Sequence, residues 1–216
     1  MPKRFFSDTD QERITAAVKS AEGGTSGEVV PYMVSQSDDY DEAELRSTIL
    51  LGLVPLTAAL GVRVFTDLWI AYDTLELAIV TLAFMAIGWL AGRFIPPVKR
   101  LLAGAQILDS RVRARATEAF VSEEVFNTRD RTGILLFVSV LEHRVVVVGD
   151  SGINARVEKT EWDAVVHAVT RGIKSGKQAD GIIEGLRLCG ELLKKRGVTR
   201  KPDDANELPD ALRTGK

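Results

Sequence analysis

Apolar and polar positions follow three different rhythms along the chain, and each predicts a different kind of element. Between Ser7 and Gly24, Ile14, Ala17, Val18 and Ala21 recur at helical spacing, Thr9 and Glu12 stand at capping-box separation, and Gly23-Gly24 ends the pattern. The second rhythm is continuous apolarity. Thr48–Val62 carries no charge, the wider Ser47–Phe65 segment adds only Arg63, and Leu77–Gly92 runs on to Ile95 with only Arg93 interrupting before Pro96-Pro97. A hydrocarbon core takes about 20 residues of helix, so these two runs predict a transmembrane hairpin rather than a pair of core helices. Trp69 and Tyr72, in the short connection, stand where interface-anchoring aromatics are expected.

The third rhythm is short and β-branched. Glu28–Val34 reads as a strand with an edge or bulge at Pro31, which lacks a backbone donor. Gly133–Val140 and His143–Val148 read as an antiparallel hairpin joined at Leu141-Glu142, and their unbroken apolar runs predict a sheet covered on both faces. Cover comes from three helical patterns. Ile107–Phe126 turns Val112, Ala116, Ala119 and Phe120 to one side; a helix starting near Thr160 aligns Trp162, Val165, Val166, Val169 and Ile173; a last one, Asp180–Arg196, aligns Ile182, Ile183, Leu186, Cys189 and Leu193, with Gly197 closing it. The order predicts an α/β fold, a three-layer α/β/α sandwich with a small mixed sheet and an inserted two-helix transmembrane hairpin. Its parts are residues 1–45 and 98–197 for the two pieces of the soluble domain, 46–97 for the hairpin and 198–216 for a polar tail that wraps or dangles.

Charge adds orientation. The connection between the apolar runs offers Arg63 against Asp67, Asp73 and Glu76, whereas the far flank holds Arg93, Lys99, Arg100, Arg111, Arg113 and Arg115. Basic flanks stay on the cytoplasmic side, which predicts an inner-membrane protein with both termini and the soluble domain in the cytoplasm. The arginines near the membrane suit a solvated face or anionic headgroups. No apolar stretch follows the basic Met1-Pro-Lys-Arg start, so no cleaved signal peptide is expected. With a formal net charge of -2 over 216 residues, nothing points to nucleic acid as a partner.

Candidate chemistry is sparse. Cys189 is the single cysteine and His143 and His167 the two histidines, so thiolate zinc sites and histidine triads have little to draw on. Both histidines and Cys189 read as packing or surface residues, and Ser139 and Ser151 have no base partner legible in the sequence. Oxygen ligands remain: Asp38–Glu44 holds five carboxylates in seven residues, and Asp150 closes the second hairpin strand. Asp38, Asp39, Asp41 and Asp150 are therefore the metal candidates, and Asp150 is also the one catalytic candidate. Each has a simpler reading, the cluster as an acidic linker and Asp150 as a turn residue. Parallel pairing of the first two strands would put Asp38 and Asp150 at opposite ends of the sheet, so the four need not form one site.

SGEVVPYMV, an arginine-bearing helix ending EAFVSEEVF, the hairpin TGILLFVSVLEHRVVVVGDSGI, a Trp-containing helix and a final helix before NELPD together resemble the TPM-domain family, especially its bacterial membrane-bound branch. The resemblance implies an α/β/α domain tethered to a membrane. Some relatives bind calcium or other divalent ions near acidic loops at the strand ends, acid phosphatase activity is claimed for plant relatives, and others assist photosystem repair or modulate a receptor. Many soluble relatives continue the hairpin with a GxGxE-like segment, where this chain has GDSGI. Two functions stand as expectations. The first is a membrane-anchored interaction or assembly module meeting a protein partner or forming a homo-oligomer, with the bilayer as its other partner. The second is a divalent-cation-dependent phosphatase or cation-binding regulator using Ca²⁺ or Mg²⁺.

Overall fold

The computed structural model describes residues 6–65, 73–200 and 206–215, so the positions of Trp69 and Tyr72 lie outside the described residues. The chain divides into two compact units, Met1–Ser37 with Ser110–Lys216, and Asp38–Asp109.

The first unit is built on a sheet of four strands in the order β3-β2-β1-β4: β1 Glu28–Val34, β2 Gly133–Ser139, β3 Arg144–Gly149 and β4 Arg213–Thr214. β1 runs parallel to β2 and to β4, and β2 antiparallel to β3, giving the expected mixed sheet. Successive residues of the central strands face opposite layers. Ile134, Leu136 and Val138 join one core with residues of α1 (Asp8–Glu22), α7 (Asp163–Lys174) and α8 (Gln178–Lys195). Leu135 and Phe137 join the other with Val112, Ala116 and Ala119 of α5 (Ala105–Ser122). Double-sided cover explains why β2 is buried at every position and apolar at nearly all of them.

Several expectations shift. Ser7, not Thr9, caps α1, its hydroxyl accepting the Asp10 N–H at 3.1 Å. β3 lies at the edge, where Val145 is buried and Val146, Val147 and Val148 are partly buried, yet the run still packs on both cores as its unbroken apolarity predicts. His143 does not start that strand; it closes the preceding turn with φ 52, its N–H on the Val140 carbonyl. The tail does more than wrap: β4 pairs with Tyr32 and Met33, and Leu208 fills the second core.

Pro31 shows how the sheet handles its edge. Glu28 N–H donates to Thr132 and the Val34 carbonyl accepts Val140 N–H, so even-numbered residues of β1 bond toward β2. Pro31 therefore turns its missing donor to the other side, ahead of the short β4, and its neighbour Val29 gives its N–H to the Glu22 carboxylate at 2.8 Å.

The second unit contains α2 (Asp41–Phe65), α3 (Thr74–Phe94) and α4 (Pro96–Ala103). Both α2 and α3 are long and apolar enough to cross a membrane, and 11% of the most apolar stretch of each is buried. At about 1.5 Å per residue they reach about 37 and 31 Å, matching a hydrocarbon core of about 30 Å. α2 passes through Pro55 unbroken and begins in the acidic segment, whose Asp41, Glu42 and Glu44 form its first turn, where negative charge is favoured. Gly52 packs on Met85, and Gly88 and Gly92 on the Ser47 region, so these small residues let α2 and α3 approach each other.

Candidate functional site

Asp150 sits at the amino end of β2 and the finish of β3, its N–H bonded to the Gly133 carbonyl. Its carboxylate caps the short α6 (Ser151–Asn154) through Ser151 N–H at 2.6 Å, and Arg131 Nε lies 2.8 Å from the other oxygen. The GDSG sequence has a local steric explanation. A Cβ on Gly152 would stand 2.4 Å from the Asp130 carbonyl and 2.7 Å from that of Arg131, a residue held at φ 56. Gly152 N–H also donates to Arg131, so the hairpin end is locked onto the loop before β2. A carboxylate already accepting a backbone donor and facing a guanidinium is suited to holding this turn.

At the opposite end of the sheet, Glu142 accepts the Ser37 N–H at 2.7 Å and the Ser139 hydroxyl, and Ser139 Oγ is 2.8 Å from Ser37 Oγ. Ser139 thus does have a carboxylate partner, three residues on across a tight turn, a spacing that the sequence displays but does not single out. Ser139 and Glu142 are both buried, so this network clamps the exit of β1 to the β2–β3 turn and offers no accessible nucleophile.

Asp38, Asp39 and Asp41 belong to the helical unit, and Asp150 to the α/β unit. Asp38 accepts Asp39 N–H at 2.8 Å, the Asp39 carbonyl accepts Lys99 Nζ at 2.8 Å, and Asp41 starts α2. Among the described residues no group of three or more His, Cys, Asp or Glu side chains is arranged to hold a metal ion.

A carboxyl cluster that sequence reasoning missed lies on the free side of β1. Glu22, at the end of α1, has its carboxyl pushed up to about 8. Burial is the leading cause; Val29 N–H opposes it, while Glu28 and Asp210 add to it. Lys19 Nζ stands 3.9 Å from Asp210. The cluster could not be read in advance because Asp210 arrives through the tail strand.

The far side of β3 carries no strand among the described residues. Asp150 N–H bonds Gly133, so by antiparallel alternation Val148, Val146 and Arg144 bond toward β2, and Val145 and Val147 aim their backbone groups outward. Asn154 Nδ2 covers the outward carbonyl of Gly149 at 2.5 Å. A groove of about 580 Å³ runs along this edge between Arg113 and Thr117 of α5 and Lys159, Trp162 and Val166 on the other side.

Comparisons with known proteins agree with this architecture. The family model described as the TPM domain matches residues 102–192. No curated protein matches the chain. Among solved structures, it is similar to the NMR structure of BA42 protein from the psychrophilic bacteria Bizionia argentinensis sp. nov., at 20% sequence identity and a TM-score of 0.60, covering 100% of this chain and 99% of that chain. At that identity the likeness shows the fold.

Proposed function

We propose that this chain, which carries a TPM domain over residues 102–192, is a membrane-anchored interaction and assembly module. The observation that carries the reading is the open edge of β3, a valine run that a partner strand can extend. Edge strands in soluble proteins are commonly blunted by charge, proline or a bulge, and Val145–Val148 has none of these. An extended segment of a partner protein would take backbone hydrogen bonds from Val145 and Val147 and lay side chains into the groove. The apolar α2 and α3 support anchoring, and the basic flank supports placing the α/β unit and both termini in the cytoplasm. A reporter fused to the C-terminal end should accordingly be active in the cytoplasm and silent outside it; the reverse pattern overturns the orientation. Engagement of the Asp150 carboxylate by Ser151 and Arg131 favours this module over a cation-dependent phosphohydrolase.

Val147→Pro tests the docking edge. Its N–H points away from β2, so proline there should leave the ladder intact, as Pro31 does in β1. In-cell crosslinking with mass spectrometry should recover a partner or a second copy with the unaltered chain and lose it with Val147→Pro. Val146→Pro, which removes a bond to β2, should instead cost on the order of 1–3 kcal/mol of stability. A crosslinked partner that persists in Val147→Pro would place the interface elsewhere, and a chain that remains solitary in native membranes would defeat the module reading altogether.

A further inference from the structure

We infer that α4 is an interfacial helix that lies in the headgroup region of an anionic bilayer, with its apolar edge in the acyl boundary. The inference rests on the membrane-anchored reading and extends it to a segment with its own binding role. The observation is an inversion of burial. Lys99 is 7% exposed, whereas Leu101 is 79%, Phe94 67% and Ile95 46% exposed. A helix facing water would turn its lysine outward and its leucine in.

The inversion is held in place by polar contacts within the helical unit. Lys99 Nζ donates to the Asp39 carbonyl at 2.8 Å and lies 3.8 Å from Glu44 Oε1, which also receives Arg93 at 3.1 Å. Arg46 of α2 donates to the carbonyls of Leu102 and Ala103, closing the carboxyl end of α4. Tied from its polar side, α4 can present only its apolar edge outward. Its start is fixed too. Ile95 is extended, with φ -103 and ψ 101, and Pro96-Pro97 opens the new helix, so the chain changes course where the apolar span ends.

Two further observations identify the occupant as lipid. Phe94 and Ile95 continue the exposed apolar surface of α3, where Ile87 and Leu90 are also exposed, so one medium covers both. With Lys99 turned inward, Arg93, whose side chain stays 49% exposed beside Glu44, and Arg100 carry the outward positive charge of a stretch with no acidic residue between Phe94 and Ala103, the charge pattern that anionic headgroups attract at about 1 kcal/mol per basic residue. A short helix of this kind sits about 5–10 Å into the headgroup and acyl boundary.

Site-directed spin labelling of the full chain in vesicles reads the depth directly. Single Leu101→Cys, Leu82→Cys and Glu118→Cys variants are labelled; Cys189 stays unlabelled because it is wholly buried and its thiol is pushed up to about 12. In phosphatidylcholine vesicles containing phosphatidylglycerol, the label at 101 should lie about 5–10 Å below the phosphates, accessible to oxygen and shielded from a polar nickel chelate. It should become shallower when phosphatidylglycerol is omitted, and the label at 118 should read as aqueous. A label at 101 exposed to the nickel chelate while that at 82 reads deep in lipid overturns the α4 inference and leaves the membrane anchor standing. If both are aqueous, the anchor itself fails. Shielding of 101 from both reagents would mean that a protein covers it, and a depth indifferent to phosphatidylglycerol would remove the anionic preference; either result overturns the proposal as stated.

Discussion

Gly133→Ala should unfold the α/β unit or leave it barely stable, whereas Gly61→Ala should be tolerated. At Gly133 a methyl group would stand 1.8 Å from the Val125 carbonyl oxygen and 3.2 Å from Val125 Cγ1. Val125 is wholly buried, and Gly133 starts the central strand β2 opposite Glu28, so neither backbone can retreat without breaking the sheet. Overpacking of this kind costs about 3 kcal/mol or more, a large share of the roughly 5–15 kcal/mol that stabilises a domain. Gly61 of α2 meets nothing within 4 Å at the corresponding position, and alanine suits a helix better than glycine by about 1 kcal/mol. Thermal unfolding of both variants in detergent micelles, followed by near-UV circular dichroism, checks the contrast. A Gly133→Ala midpoint within a few degrees of the unaltered protein would show that the Val125 loop yields easily.

The second large effect is a fall in stability with rising pH that originates at Glu22. Its folded carboxyl titrates near 8 against an ordinary value of 4.5, so between those values the folded state holds a proton that the unfolded chain releases. Stability from this group is fully present below about 4.5 and is lost as pH rises through 8. The limiting slope is about 1.4 kcal/mol per pH unit for the one proton involved, and partial access of water to Glu22 narrows the pH range over which that slope applies. The environment explains the sign: Glu28 of β1 and Asp210 of the tail both oppose ionisation, and Lys19, paired with Asp210, does not offset burial. Glu22→Gln keeps an oxygen for Val29 N–H and removes the charge. It should flatten the profile between pH 5 and 8 and raise the midpoint at pH 8 and above. Equal slopes in the two proteins would assign the titration to another group. Ionised Glu22 also repels Asp210 just ahead of β4, so exchange of the Gly215 N–H, bonded to Met33 at 3.0 Å, should accelerate over the same range.

The apolar rhythm was a faithful guide wherever one local period decides the outcome. Ile14 and Val18 on α1, Val165 and Val169 on α7, and Leu186 and Leu193 on α8 are buried as their spacing predicts, because a helix shows one face to whatever it meets. The Val145–Val148 run told of two covered faces, with Val145 and Val147 against one core and Val146 and Val148 against the other, but not of the strand's place in the sheet. Four consecutive valines look the same whether a strand is central or peripheral, and only the order β3-β2-β1-β4 makes this one an edge. At the candidate sites, Asp150 was legible as a turn residue because its partners are near in sequence, Ser151 at one position and Arg131 across the hairpin base. Glu142 was legible only as part of a turn, since its other partner, Ser37, lies 105 residues away.

Local chemistry therefore determined what can be determined within a few turns of chain: the two long apolar helices, the Pro96-Pro97 break, the strand of β1 with its proline, and the α/β succession. Tertiary structure decided which surfaces remain open and which charges meet. It drew Asp210 to Glu22 through a two-residue strand, set Lys99 inward against Glu44 while Leu101 faced out, and left Val145 and Val147 aimed away from the sheet. The physical reason is the reach of each force. Helical period, turn preference and proline sterics act between neighbours in sequence, whereas burial, charge pairing and edge exposure depend on segments that only the folded chain brings together.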